Sequence, residues 1–175
     1  IQVCQAIQHA HQKGIIHRDI KPSNILVTIN DGVPVPKVID FGIAKATEYK
    51  LTEKTLFTEF QSFIGTPAYT SPEQAEMSGL VIDTRSDIYA LGVLLYELLT
   101  GRPPFKAVSL LETLEQVRTQ EPVPPSQLQP KTPRDLETIC LKCLDKEPAR
   151  RYGSALGLAE DLERVLTGSP IAARR

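Results

Sequence analysis

The sequence predicts a mainly α-helical domain carrying one short β-hairpin. Apolar residues recur at helical spacing through several separate stretches of the chain. A single pair of short β-rich runs flanks the turn signal Asn30-Asp31-Gly32. With 175 residues, 41% hydrophobic and 23% charged, the chain is long and apolar enough for one sizeable core.

Residues 1–13 set Val3, Ile7 and Ala10 on one helical face, and Gly14 is a suitable stop. The stretch reads as the end of a helix, and an opening without Met or a basic leader reads as cut from something longer. His9 and His11 read as surface residues. They have no acidic neighbours in sequence that would make a metal site. A polar loop then leads to a strand at Ile25-Leu26-Val27-Thr28, and a second strand runs from Val33 to Ile39. Pro34 and Pro36 confine the first half of that second strand to a sheet edge, because proline donates no ladder hydrogen bond.

Residues 43–64 are polar with little periodicity and read as a mobile surface segment. Gly65 to Glu73 holds two prolines and a glycine, which force a defined irregular path, and Gln74 to Met77 follows as a short helix. Residues 84–100 are apolar nearly all round and read as the buried central helix. Thr84 or Ser86 is its expected cap, Leu94 an interior position intolerant of charge, and Gly101 its stop. Ser109 and Glu112 have capping-box spacing ahead of Leu110, Leu114 and Val117. Residues 121–133 read as a surface loop. Thr132 then caps a further helix with Pro133 at its first position. A last helix at 154–167 turns Leu158, Leu162, Val165 and Leu166 inward and stops at Gly168, leaving 169–175 as a frayed tail.

Several classes are disfavoured. A formal net charge of -1 gives no nucleic-acid footprint. The most apolar stretch, Ile88 to Leu99, is about half the length of a membrane span and contains Glu97, so this segment is expected to make no membrane contact. Three cysteines give no disulfide framework and fit a reducing, cytoplasmic compartment; an anchor elsewhere in a longer protein is compatible with this. Cys140 and Cys143 have redox or zinc spacing, but one pair supplies only two ligands. Both fall on a helical face with Leu136, Ile139 and Leu144, which favours core packing.

The chemistry concentrates in His17-Arg18-Asp19-Ile20-Lys21-Pro22-Ser23-Asn24. An extended loop can point Asp19 and Lys21 into one space, with Asn24 just ahead of the first strand. The hairpin brings Asn24 from one side and Asp40 from the other. A carboxylate and an amide oxygen are hard ligands suited to Mg²⁺.

The pattern H-R-D-x-K-x-x-N resembles the catalytic loop of protein kinases, and Asp40-Phe41-Gly42 resembles the family's D-F-G. Ser71-Pro72-Glu73 stands in the place of A-P-E, with serine for alanine. Asp87 and Gly92 resemble the aspartate and glycine of the central helix. Arg151 resembles the arginine that pairs with the A-P-E glutamate, here Glu73. The likeness runs through almost the whole chain and is to the C-terminal lobe, so residues 1–168 are identified as part of a kinase domain. Lys21 and Thr66 are similar to Ser/Thr rather than tyrosine kinases, and the wording around Asp87 is similar to the eukaryotic-like (Hanks-type) bacterial enzymes. No G-x-G-x-x-G, V-A-I-K lysine or partner glutamate occurs.

The resemblance implies transfer of the ATP γ-phosphate to Ser/Thr hydroxyls of protein substrates. Asp19 would orient the acceptor hydroxyl and take its proton, Lys21 would face the phosphoryl oxygens, and Asn24 and Asp40 would hold Mg²⁺. Leu26 would lie under adenine, with core packing as its rival role. Thr66 would sense the acceptor. Arg18 would receive a phosphate on Thr55, Thr58 or Ser62, with Thr58 preferred; an ordinary carboxylate pair is its rival role. His17, Phe41 and Gly42 are structural. Two other functions remain open. A small-molecule phosphotransferase also places Asp five residues before Asn, but Lys21 and the 65–73 segment oppose it. An inactive fragment or pseudokinase docking module fits the absent nucleotide-covering motifs.

Overall fold

The computed structural model describes residues 1–41, 67–76 and 82–174. Gly42, Thr55, Thr58, Ser62, Thr66 and the 43–64 segment lie outside the described residues. The described part is mostly helical, with one antiparallel pair of strands.

Helix α1 (Gln2–Gln12) buries Cys4, Ile7 and Ala10. Gly14 ends the segment at φ 73°, a left-handed position that glycine adopts without a Cβ clash. Strand β1 (Ile25–Asn30) pairs with β2 (Val33–Val38) around Asp31 and Gly32, whose φ values of 50° and 79° suit a two-residue hairpin turn. Pro34 and Pro36 face Ile29 and Val27. The Ile39 N–H bonds the Asn24 carbonyl at 3.0 Å, which fixes the hydrogen-bonded rungs two residues apart from that point. Both prolines therefore fall on rungs where no ladder N–H is needed.

Helix α2 (Pro72–Ala75) is a single turn closed by a Ser71–Gln74 capping box. Helix α3 (Thr84–Thr100) is the central element, buried continuously from Ser86 to Val93. Its cap is Asp83, whose carboxylate accepts from Arg85 N at 2.7 Å, rather than Thr84 or Ser86. An aspartate also suits the positive end of the helix dipole. The burial fades toward the C-terminus. Leu94 is only half-buried and Leu98 is exposed, so Val93, fully enclosed, is the interior position that Leu94 was expected to be.

Helix α4 (Leu110–Thr119) carries the expected Ser109–Glu112 box and buries Leu114 and Val117. The proline-rich connection contains one short turn, α5 (Pro125–Leu128). Helix α6 (Arg134–Cys143) starts one residue later than expected, with Pro133 rather than Thr132 at the cap position. Helix α7 (Ala155–Thr167) is capped by Ser154 and ends at Gly168, φ 70°.

Two apolar clusters share α3. One joins Ile88 and Leu91 to α1, α6, α7 and Ile171; the other joins Tyr89, Val93 and Tyr96 to Phe105, Val117 and Leu144. Cys140 and Cys143 are wholly buried in this packing. Burial pushes the Cys140 thiol up to about 12, which suits an inert core group and not a nucleophile. The tail is seated, not frayed. Ile171 is buried, and the Ala172 and Ala173 N–H groups donate to the Asp161 carboxylate at 2.7 and 2.8 Å. Leu166, expected to point inward, is exposed.

Candidate active site

The site is the loop between α1 and β1, closed from below by α3 and from the side by β2. Its backbone is held by one buried carboxylate. Asp87 accepts the His17 N–H on Oδ2 and the Arg18 N–H on Oδ1, each at 2.8 Å. Arg18 sits at φ 66°, a conformation that costs an L-residue roughly 1–2 kcal/mol without compensation. Two charge-assisted bonds to adjacent amides supply it. Gln74, from α2, adds a bond from Nε2 to the Arg18 carbonyl at 3.2 Å.

His17 is a hub for the loop. Its Nδ1 accepts the Asp19 N–H at 3.3 Å, and its Nε2 meets the Ile39 carbonyl at 3.1 Å. A carbonyl only accepts, so the two bonds together assign the hydrogen to Nε2. The ring packs on Phe41, centroids 4.6 Å apart. His17 and Phe41 thus join the segment before Asp40 to the loop bearing Asp19.

Within the loop, Lys21 Nζ reaches Asp19 Oδ2 at 2.9 Å, and both side chains stay partly open to solvent. Asn24 donates from Nδ2 to the Asp19 carbonyl at 2.8 Å and to Oδ2 at 3.2 Å. Its Oδ1 takes no part in these bonds. Asn24 itself is buried at the end of the short turn Pro22–Asn24, where proline opens the turn with its φ already set. Asp40 follows the Ile39–Asn24 backbone bond, is exposed, and has φ 55°. Among the described residues, the positive-φ non-glycines are Arg18, Asp31 and Asp40. Asp31 makes the hairpin turn, and the other two flank this site, where backbone strain commonly serves function.

The loop therefore brings Asp19, Lys21 and Asn24 into one hydrogen-bonded set and anchors Asp40 beside it. Asn24 Oδ1 and the Asp40 carboxylate are hard oxygen donors. Two protein ligands with the remainder from water and phosphate is the usual Mg²⁺ arrangement, so the donor set fits that ion. Leu26 is half exposed on β1 rather than in the core, which removes its packing alternative. No helix among the described residues is long and apolar enough to cross a membrane.

The segment at 71–76 is locked to the far end of the chain. Arg151 Nη1 and Nη2 bond Glu73 Oε1 and Oε2, each at 2.8 Å, and Ser86 Oγ donates to Oε1 at 2.7 Å. Burial pushes the Glu73 carboxyl up, but the Arg151 bonds and charge, with Ser86, outweigh it and hold it below the ordinary carboxylate range.

Sequence reasoning missed two contributors. His11, expected on the surface, is nearly buried, and its Nε2 lies 2.8 Å from Asp87 Oδ2. No neighbour in sequence signals a partner on α3. Gln74 was legible as a helix former but not as a bond to Arg18.

Comparison with known proteins agrees with the geometry. The model of the protein kinase domain family matches residues 1–162. The serine/threonine-protein kinase PknB of Mycobacterium leprae is 45% identical over 167 residues, covering 95% of this chain and 25% of that protein. PknB of Mycolicibacterium smegmatis is 44% identical over 165 residues, 94% of this chain and 25% of that protein. The probable serine/threonine-protein kinase SCO3848 of Streptomyces coelicolor is 43% identical over 173 residues, 99% of this chain and 24% of that protein. The chain spans about a quarter of the length of these relatives.

Proposed function

The chain belongs to the protein kinase family, and from that premise we propose that it is the C-terminal lobe of a bacterial Ser/Thr kinase domain. The whole protein would transfer the ATP γ-phosphate to protein Ser/Thr hydroxyls. The observation that carries this reading is the Asp19–Lys21–Asn24 set on a loop pinned through His17 and Arg18 to Asp87.

Asp19 accepts the hydrogen of the substrate hydroxyl and orients its oxygen for in-line attack, taking the proton as the phosphoryl group transfers. Lys21 holds Asp19 and presents its remaining ammonium hydrogens to the transferring phosphoryl oxygens. Asn24 Oδ1 and Asp40 would hold Mg²⁺, which would supply neutralisation of the phosphate charge. Leu26, exposed on the hairpin, offers an apolar platform for adenine. Thr66 would sense the acceptor, and Arg18 would pair with a phosphate on Thr55, Thr58 or Ser62. These 175 residues hold no G-x-G-x-x-G loop or V-A-I-K lysine to cover a nucleotide, so the chain alone would turn over poorly.

The test is transfer from ATP to a generic protein acceptor by the full-length protein. Asp19→Asn lowers turnover by several orders of magnitude with ATP affinity kept. Near-normal turnover removes Asp19 from this role, and an inactive full-length wild type, with the 43–64 segment phosphorylated, makes the domain a pseudokinase.

A further inference from the structure

The peptide that joins Arg18 to Asp19 is held at both of its polar ends. Its carbonyl accepts from Gln74 Nε2 at 3.2 Å, and its N–H donates to His17 Nδ1 at 3.3 Å. We propose that Gln74 is a positioning residue for Asp19: it fixes the plane of that peptide from helix α2 and so couples the seating of residues 71–76 to the aim of the reacting carboxylate. This rests on the kinase reading of the loop.

The Gln74 amide is oriented by its own partners. Its Oε1 accepts the Ser71 N–H at 3.1 Å and the Ser71 hydroxyl at 2.9 Å. With the oxygen engaged there, the nitrogen faces the Arg18 carbonyl, which only accepts. Helix α2 is anchored at this point, because the adjacent Glu73 is gripped by Arg151 and Ser86. A trans peptide is planar, with its C=O and N–H on opposite sides. His17 holds one side from within the loop. Gln74 holds the other from a separate, anchored element.

Asp87 does not do this work. Its carboxylate takes the His17 and Arg18 N–H groups, so it fixes the two peptides that end at those residues. The peptide after Arg18 is left to His17 and Gln74. Turning it changes ψ of Arg18, whose φ is already left-handed at 66°, and φ of Asp19. It also swings the Asp19 carboxylate away from Lys21 Nζ and Asn24 Nδ2, now 2.9 and 3.2 Å from Oδ2. Displacement of a reacting group by about 1 Å can cost about 100-fold in rate.

Gln74 also closes the capping box of α2, and two variants separate the roles. Gln74→Glu keeps an oxygen for Ser71 but sets a second oxygen, not a donor, against the Arg18 carbonyl. In the full-length protein it is expected to lower kcat at least ~10-fold with ATP KM within about 2-fold, and to speed amide hydrogen exchange at Asp19. Ser71→Ala removes the capping hydroxyl and leaves the Nε2 bond. It is expected to lower the melting temperature with kcat within about 2-fold of wild type. If Gln74→Glu does not fold, Gln74→Met, of similar length and without a donor, takes its place with the same readings. A kcat within about 2-fold of wild type in the Gln74 variant overturns the proposal. So does a Ser71→Ala variant equally impaired in kcat, since the loss then belongs to the helix cap. If the wild type itself transfers no phosphate, the kinase reading falls. Exchange at Asp19 then decides alone: faster exchange in the Gln74 variant supports the hold on the peptide, and unchanged exchange overturns it.

Discussion

Arg151 and Glu73, 78 positions apart in sequence, meet as a two-pronged fork with both N–O distances at 2.8 Å. The Arg151 side chain is fully enclosed, and its remaining donors go to the carbonyls of Arg85, Asp145 and Lys146. One guanidinium thus ties α2, the start of α3 and the loop before α7. Removing one member leaves the other buried and uncompensated, which costs about 3–5 kcal/mol. Arg151→Met is expected to lose that much in urea unfolding. Arg151→Lys recovers little, since an ammonium cannot make the fork. The double variant Arg151→Met, Glu73→Leu should be more stable than Arg151→Met alone. A double variant that is less stable contradicts the assignment of the loss to an orphaned charge.

Acid should find the same pair. Burial raises both Glu73 and Asp161, but their hydrogen bonds prevail and both carboxyls lie below their ordinary values. For Asp161 those bonds come from Ala172 N–H, Tyr152, Arg164 and Ala173 N–H. The unfolded chain therefore protonates first as pH falls, near the ordinary carboxylate range of about 4. The stability these groups contribute is present above that range and is lost as pH drops through the lower folded values. Each contributes a slope of at most about 1.4 kcal/mol per pH unit within that window. Urea unfolding measured from pH 7 down to pH 3 should show the decline only at its acid end. Asp161→Asn should flatten it; an unchanged slope would remove Asp161 from the account.

Gly92 faces α6 so closely that an added Cβ would lie 2.5 Å from Cys143 Cβ and 3.3 Å from its backbone carbonyl carbon. Helix propensity alone would favour alanine by about 1 kcal/mol. The contact decides the sign the other way, because overpacking a dense core costs typically about 1–3 kcal/mol and here the obstacle is another helix. Gly92→Ala should lower the melting temperature. Cys143→Ala keeps the offending Cβ and should not rescue it; rescue would place the crowding at the sulfur instead.

The sequence made the helices and hairpin legible because their signals are local: apolar spacing, capping boxes, a turn dipeptide and a glycine stop. The grouping of Asp19, Lys21 and Asn24 is legible for the same reason, since they lie at short fixed offsets in one loop. What escaped was set by distant partners. His11 finds Asp87 on another helix, and Gln74 finds a carbonyl of the loop. The cap of α3 fell to Asp83, one residue ahead of the expected Thr84 or Ser86, a shift that spacing does not resolve. Beyond Val93 the burial of α3 becomes one-sided, with Tyr96 enclosed and Leu98 exposed, although the sequence stays apolar to Leu99.

Leu166 and Ile171 reverse the expectation for the end of the chain, and the reversal is measurable. Periodicity places Leu166 inward, but it lies near the end of α7 and is 77% exposed. Gly168 then turns the chain back, so that Ile171 enters the cluster of Cys4, Ile7, Ile139 and Leu158 and is 4% exposed. Asp161 holds the returning segment by two backbone N–H groups, and Tyr152 and Arg164 complete its carboxylate. Ile171→Ala removes buried methyl groups from a packed site and should cost about 2–4 kcal/mol. Leu166→Ala should stay within about 0.5 kcal/mol. Thermal unfolding of the two variants side by side checks this. Equal losses, or a larger loss at Leu166, would mean that the tail does not dock and that α7 turns its other face to the core.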